Sequence, residues 1–173
     1  MSALPMPAVT RRVIQVTIAV NLLLGMGFAV ALLLSWPMNA ALIGQLRLKY
    51  GEAANISGIA WSFRVALLIG IPAVVIVDRM LRLLLQLLAS AARGDPFVAA
   101  NAGRLEYLAW LMVALQVLNL GWGGLIAWLH WLHAETATWQ PDFGGWLTVL
   151  LLFVLAQVFR AGTVMRDELA MTV

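Results

Sequence analysis

The sequence contains no cysteine, and only 11% of its residues are charged. The absence of cysteine excludes disulfides, thiolate nucleophiles and cysteine-based metal sites. A soluble domain carries roughly 25% charged residues, so the low charge content argues against a fold in water. The sequence also lacks the runs of lysine and arginine that grip nucleic acid, which argues against direct nucleic-acid binding.

The sequence is rich in hydrophobic residues, which are concentrated in long runs. Hydrophobic residues make up 63% of its 173 residues, and the mean hydropathy is +0.93. A helix needs about 20 apolar residues to cross hydrocarbon, and four runs approach or exceed that length: 13–35, 59–77, 105–129 and 144–159. We therefore predict an all-α integral membrane protein, a four-transmembrane-helix bundle in which residues 1–173 form one domain in the lipid bilayer. Pro72 should kink the second span.

Polar residues follow the second run at helical spacing. They recur every three or four residues and form one stripe: Arg79, Arg82, Gln86, Ser90 and Arg93. Charges at that density are costly at the bilayer centre. We expect the helix to leave the membrane near Asp78 and to form a cytoplasmic helical extension over 78–104.

A sharp corner is predicted inside that extension. Gly94 suits the left-handed position after a helix end. Asp95 can cap the next helix, with Pro96 at its first position. Phe97 follows directly and is the last residue of the predicted corner.

Arginine is distributed unequally between the two ends of the spans. One end receives Arg11, Arg12, Arg79, Arg82, Arg93, Arg104, Arg160 and Arg166, and the other receives Arg47, Lys49 and Arg64. Because cytoplasmic loops collect basic residues, both termini are predicted to be cytoplasmic. Six tryptophans fall at the opposite ends and predict an outer aromatic belt: Trp36, Trp61, Trp128, Trp131, Trp139 and Trp146.

Two further features lie in the first outer connection and at the start of the second span. Residues 45–50 alternate between polar and apolar, a pattern that fits a short strand or an interfacial segment. Arg64 lies one turn inside the second span, from which its side chain can snorkel to the outer headgroups.

His130 and His133 are the main candidates for a cofactor site. Two histidines at this spacing on a helix can face one metal ion, and membrane haem is often bound by histidine. The alternative, which we favour, is a pair of amphipathic rings at the headgroup level, since no further histidine is available as a second haem ligand. No catalytic triad order or phosphate loop is present. We therefore predict no cofactor, no metal and no enzymatic activity.

Small and amide residues within the spans indicate helix packing. Glycines at 25, 27, 121, 123 and 124 permit close helix approach. Asn21, Gln116 and Asn119 are expected to hydrogen-bond between helices rather than to touch a substrate.

Two stretches resemble a known family. Residues 93–105 contain Gly-Asp-Pro-Phe, then Asn101 and Arg104-Leu105, and resemble the signature of a bacterial four-span membrane family catalogued as domain of unknown function 2975. Residues 158–173 are similar to the close of that family. The resemblance implies a location in the bacterial inner membrane and no established activity. It also implies a partner, because many such proteins are encoded beside a small cytoplasmic helix-turn-helix repressor.

These observations favour a regulatory, sensor or anchoring protein that acts through its cytoplasmic face on such a regulator or on anionic lipid headgroups. The candidate interface is Arg79, Arg82, Gln86, Arg93, Asp95 and Phe97. Two alternatives stay open: a small transporter or channel component, and an accessory subunit bound to another membrane protein. The glycine faces would also allow a homo-oligomer.

Overall fold

A computed structural model describes residues 8–51, 55–92, 98–134 and 138–171, and these residues are helical apart from their connections. They form five helices: α1 (Ala8–Leu34), α2 (Asn39–Tyr50), α3 (Ile56–Ala92), α4 (Ala99–Trp131) and α5 (Phe143–Met171). Helices α1, α3, α4 and α5 are long and apolar enough to cross a membrane. The predicted all-helical class, with four helices apolar enough to cross a membrane, is confirmed. Many of their large apolar side chains are exposed, as expected where lipid is the solvent.

Helix α3 is longer than a span requires. It runs unbroken for 37 residues and includes Pro72. At 1.5 Å per residue it is about 55 Å long. The prediction that the second span continues as one helix beyond Asp78 is therefore confirmed. The predicted corner, with Arg93, Gly94, Asp95, Pro96 and Phe97, lies outside the described residues.

Helix α2 includes residues 45–50, for which the alternating sequence pattern also allowed a strand. Its 12 residues are helical, so the strand alternative for 45–50 is wrong. Leucine, glutamine, arginine and lysine are good helix formers, and six alternating residues are too few to outweigh that preference. The helix ends at Tyr50 and is followed by Gly51, whose positive φ of +79° is readily adopted by glycine. The N–H of Gly51 donates to the Arg47 carbonyl at 2.9 Å.

Contacts divide the chain into two compact units. The first comprises Met1–Val20, Ile76–Gln116 and Phe143–Val173, and the second comprises Asn21–Val75 and Val117–Asp142. Among the described residues, every arginine that the sequence assigns to the cytoplasmic side belongs to the first unit. The three basic residues assigned to the outer side, Arg47, Lys49 and Arg64, belong to the second.

In the second unit, α1 and α3 approach each other through glycine. A Cβ atom on Gly25 would lie 2.6 Å from Cγ1 of Val74, and one on Gly70 would lie 2.8 Å from the ring of Phe28. The side-chain amide of Asn21 donates to the Val74 carbonyl at 2.9 Å. The predicted packing role of Gly25 and the predicted interhelical hydrogen bond of Asn21 are confirmed.

Helix α4 ends in the second unit in a Schellman motif. His133 has a left-handed φ of 56°, and its N–H donates to the His130 carbonyl at 3.0 Å. The N–H of Ala134 donates to the Leu129 carbonyl at 3.1 Å. Ala134 is buried in a small apolar cluster against which Leu129 packs, the hydrophobic contact that usually accompanies this motif.

Candidate functional site

The polar stripe of α3 is exposed where the structure describes it. The side chains of Arg79, Arg82 and Gln86 all lie at the protein surface. Arg82 makes a bidentate ion pair with Asp78 one turn earlier, with Nε at 2.8 Å from Oδ2 and Nη2 at 3.0 Å from Oδ1. Arg79 makes no hydrogen bond or ion pair with the described residues. The stripe therefore offers a partner one uncompensated cation, one paired cation and one amide.

A buried polar connection fixes the end of α3 to the start of α4. Asn101 is 2% exposed, and its amide nitrogen donates to the hydroxyl of Ser90, itself 3% exposed, at 2.6 Å. Its carbonyl oxygen accepts from Nη1 of Arg104, also at 2.6 Å. Because removing one partner of a buried hydrogen bond leaves the other group unsatisfied, this connection holds the two helix ends in one arrangement. Sequence reasoning missed it, since the sequence singles out Asn101 only through the family resemblance.

Helices α4 and α5 contact each other in the same unit. Arg160 forms an ion pair with Glu106, and both side chains are exposed. The ring of Trp110 meets Phe153 edge to face at 5.4 Å between centroids. An exposed ion pair contributes only about 0–1 kcal/mol, and an aromatic pair contributes about 0.5–1.5 kcal/mol beyond the area that it buries.

A small apolar cavity also lies in the first unit. Its volume is about 260 Å³, and it is lined by Leu84, Leu87, Leu88, Ala91, Asn101, Leu105 and Phe159. Ligand pockets are usually about 300–1,000 Å³ and combine apolar walls with several convergent polar groups. Only Asn101 is polar here, and both ends of its amide are hydrogen-bonded, so the cavity does not have the character of a substrate site.

Arg64, in the second unit, differs from the expectation that it snorkels outward. The residue is 6% exposed. Its Nε donates to the hydroxyl of Ser35 at 3.2 Å, and its Nη2 donates to the Ser35 carbonyl at 2.8 Å and to Oδ1 of Asn39 at 2.6 Å. The guanidinium carbon lies 4.8 Å from the ring centroid of Trp36 and 5.4 Å from that of Trp61. The side chain is held inside the protein by the connection between α1 and α2.

The tryptophans of the predicted outer belt have different environments. Trp36 and Trp61 meet edge to face at 5.9 Å, and Trp128 and Trp131 meet at 5.1 Å. These four are exposed, as is Trp146, which belongs to the other unit. Their place at a membrane interface stays a prediction.

Trp139 lies against α4 instead of being fully exposed. Its indole N–H donates to Oδ1 of Asn119 at 2.9 Å. A Cβ atom on Gly123 would lie 2.6 Å from the indole ring. The glycine therefore makes room for a tryptophan from the connection between α4 and α5, whereas a Cβ atom on Gly121 or Gly124 would have nothing within 4 Å.

The two histidines do not share a helix face. His130 is in the last turn of α4, but His133 follows the helix end in the left-handed conformation. The spacing argument for a shared metal required both on one helix, so its premise fails. The described residues contain no group of three or more histidine, cysteine, aspartate or glutamate side chains placed to hold a metal ion.

Comparison of the chain with known protein families, curated proteins and solved structures gave no match. The family resemblance noted in the sequence therefore stays a proposal.

Proposed function

We propose that this chain is a regulatory protein of the bacterial inner membrane that holds a cytoplasmic partner on the polar face of α3. The observation that carries the proposal is the length of α3, 37 residues without a break. A helix of about 55 Å would fit within a hydrocarbon core of about 30 Å only at a tilt of about 57°, beyond the observed limit of about 40°. Even at that limit, about 11 residues lie outside the hydrocarbon.

The polar stripe suggests which part of α3 lies outside. Arg79, Arg82 and Gln86 are exposed on its second half, and charged groups are costly in hydrocarbon. The excess of arginine at this end of the spans supports a cytoplasmic location, with both termini on the same side. Such a surface suits a partner with an acidic, hydrogen-bonding face. The family resemblance supports a small helix-turn-helix regulator as that partner.

The test is co-purification from native membranes at matched expression. We expect the triple variant Arg79→Ala, Arg82→Ala, Gln86→Ala to insert normally but to lose a cytoplasmic protein that the parent retains.

A matched control is available on α2. Gln45, Arg47 and Lys49 are also exposed and carry the same side-chain classes, so replacing all three with alanine should leave the partner bound. Retention of the same partner by the α3 variant would overturn the proposal. Recovery of membrane proteins alone with the parent would favour the accessory-subunit alternative.

A further inference from the structure

The site around Arg64 has a cation without a counter-charge. Among the described residues, no carboxylate lies within ion-pair distance of its guanidinium. Its partners are a hydroxyl, a carbonyl, an amide oxygen and two indole faces. These groups are neutral, so they orient the charge without cancelling it. Burying an ionised group without a compensating charge is costly.

One end of this guanidinium is still available. Nε and Nη2 are engaged by Ser35 and Asn39, but Nη1 makes no hydrogen bond with a described residue. No fully buried side-chain nitrogen or oxygen in the described residues lacks a partner. Nη1 therefore keeps some accessible area, through which it can donate a hydrogen bond to an external acceptor.

An apolar cavity lies beside the same residues. Its volume is about 310 Å³, and it is formed by the end of α1, by α2 and by α3. Ser35, which accepts from Arg64, lines the cavity, as does Phe63, the neighbour of Arg64 in sequence. The other walls are apolar apart from Gln45, and they include Ala31, Leu34, Met38 and Leu42. This volume is at the lower end of the ligand-pocket range, about 300–1,000 Å³.

A buried cation and a largely apolar cavity that are linked through Ser35 match an anionic amphiphile. We infer that this site binds one anionic phospholipid of the surrounding bilayer, with a phosphate oxygen accepting from Nη1 of Arg64 and part of an acyl chain in the cavity. The phosphate supplies the missing negative charge, and a hydrogen bond between two ionised groups is stronger than one between neutral groups. The contact of the guanidinium with Trp36 and Trp61 keeps it in place to receive the headgroup.

The experiment is native mass spectrometry of the full chain, purified in detergent with equal amounts of phosphatidylglycerol and phosphatidylcholine. We expect the parent to retain one phosphatidylglycerol, favoured about fivefold over phosphatidylcholine, which corresponds to about 1 kcal/mol. Arg64→Gln should abolish the preference. Arg47→Gln, which removes an exposed arginine of α2 in the same unit, should preserve it.

A second variant keeps the test valid if Arg64→Gln fails to fold. Ala31→Phe fills the cavity and leaves the partners of Arg64 in place, so it should reduce lipid retention. Equal retention of the two lipids by the parent would overturn the inference, as would loss of the preference in Arg47→Gln. A further arm uses inorganic phosphate alone. If phosphate raises the unfolding temperature of the parent as much as phosphatidylglycerol does, the site binds a free anion and the lipid assignment is wrong.

Discussion

Replacing His133 with glycine should stabilise the protein, although the change removes a whole side chain. His133 is the only residue other than glycine with a positive φ among the described residues, at 56°. The left-handed conformation costs an L-residue roughly 1–2 kcal/mol. Glycine avoids that cost but makes the unfolded chain more flexible, which offsets about 0.4–1 kcal/mol. Because the His133 side chain is exposed and packs little, we expect a net gain of roughly 0.5–1 kcal/mol.

The control is the same substitution three residues earlier. His130 lies within the last turn of α4, where glycine costs a few tenths of a kcal/mol relative to histidine. The two variants should therefore shift the midpoint of thermal unfolding in opposite directions. The assay is unfolding in detergent followed by intrinsic fluorescence, for which the chain has eight tryptophans. If His133→Gly lowered the midpoint as much as His130→Gly, the left-handed cap at the end of α4 would be refuted.

Three further predictions follow from packing, hydrogen bonding and topology. Gly25→Ala should destabilise the protein by about 1–3 kcal/mol through overpacking against α3. Gly27→Ala, whose Cβ atom would have nothing within 4 Å, should be neutral or stabilising in the same unfolding assay. If Gly27→Ala were the more destabilising of the two, the α1–α3 contact would be contradicted. Asn101→Ala should cost about 1–3 kcal/mol because buried polar groups lose their partner, and an unchanged unfolding midpoint would argue against that connection. Reporter fusions after Gln140 should score as extracytoplasmic and fusions at the carboxy terminus as cytoplasmic; a cytoplasmic signal at Gln140 would overturn the four-span topology.

The features that could be predicted from sequence depend on local periodicity. Hydropathy is a property of each segment by itself, so the four apolar helices were accessible without tertiary information. The same is true of the continuation of α3, because the polar residues after Asp78 keep the helical spacing. Asn21 was also assigned correctly, since an amide within a span needs a hydrogen-bond partner wherever that partner lies in the fold.

The features that could not be predicted depend on contacts between distant residues. Arg64 was expected to extend outward, but it is buried and donates to Ser35, 29 positions away in sequence. Trp139 was expected in the outer belt, but it lies in the connection between α4 and α5, where its indole donates to Asn119 and packs on Gly123. The histidine pair required α4 to continue to His133, whereas the helix ends at Trp131.

The α1–α3 contact has a consequence for the order in which the protein is made. Asn21, Gly25 and Val74 are all synthesised before α4 begins at Ala99, so the first two spans can pair as a helical hairpin while the rest of the chain is still on the ribosome. The same order protects Arg64 during insertion. A charged side chain within the membrane is costly, but the acceptors of Arg64 on Ser35 and Asn39 have already emerged when it enters the bilayer. The guanidinium of Arg64 can therefore form its hydrogen bonds to Ser35 and Asn39 as it is inserted.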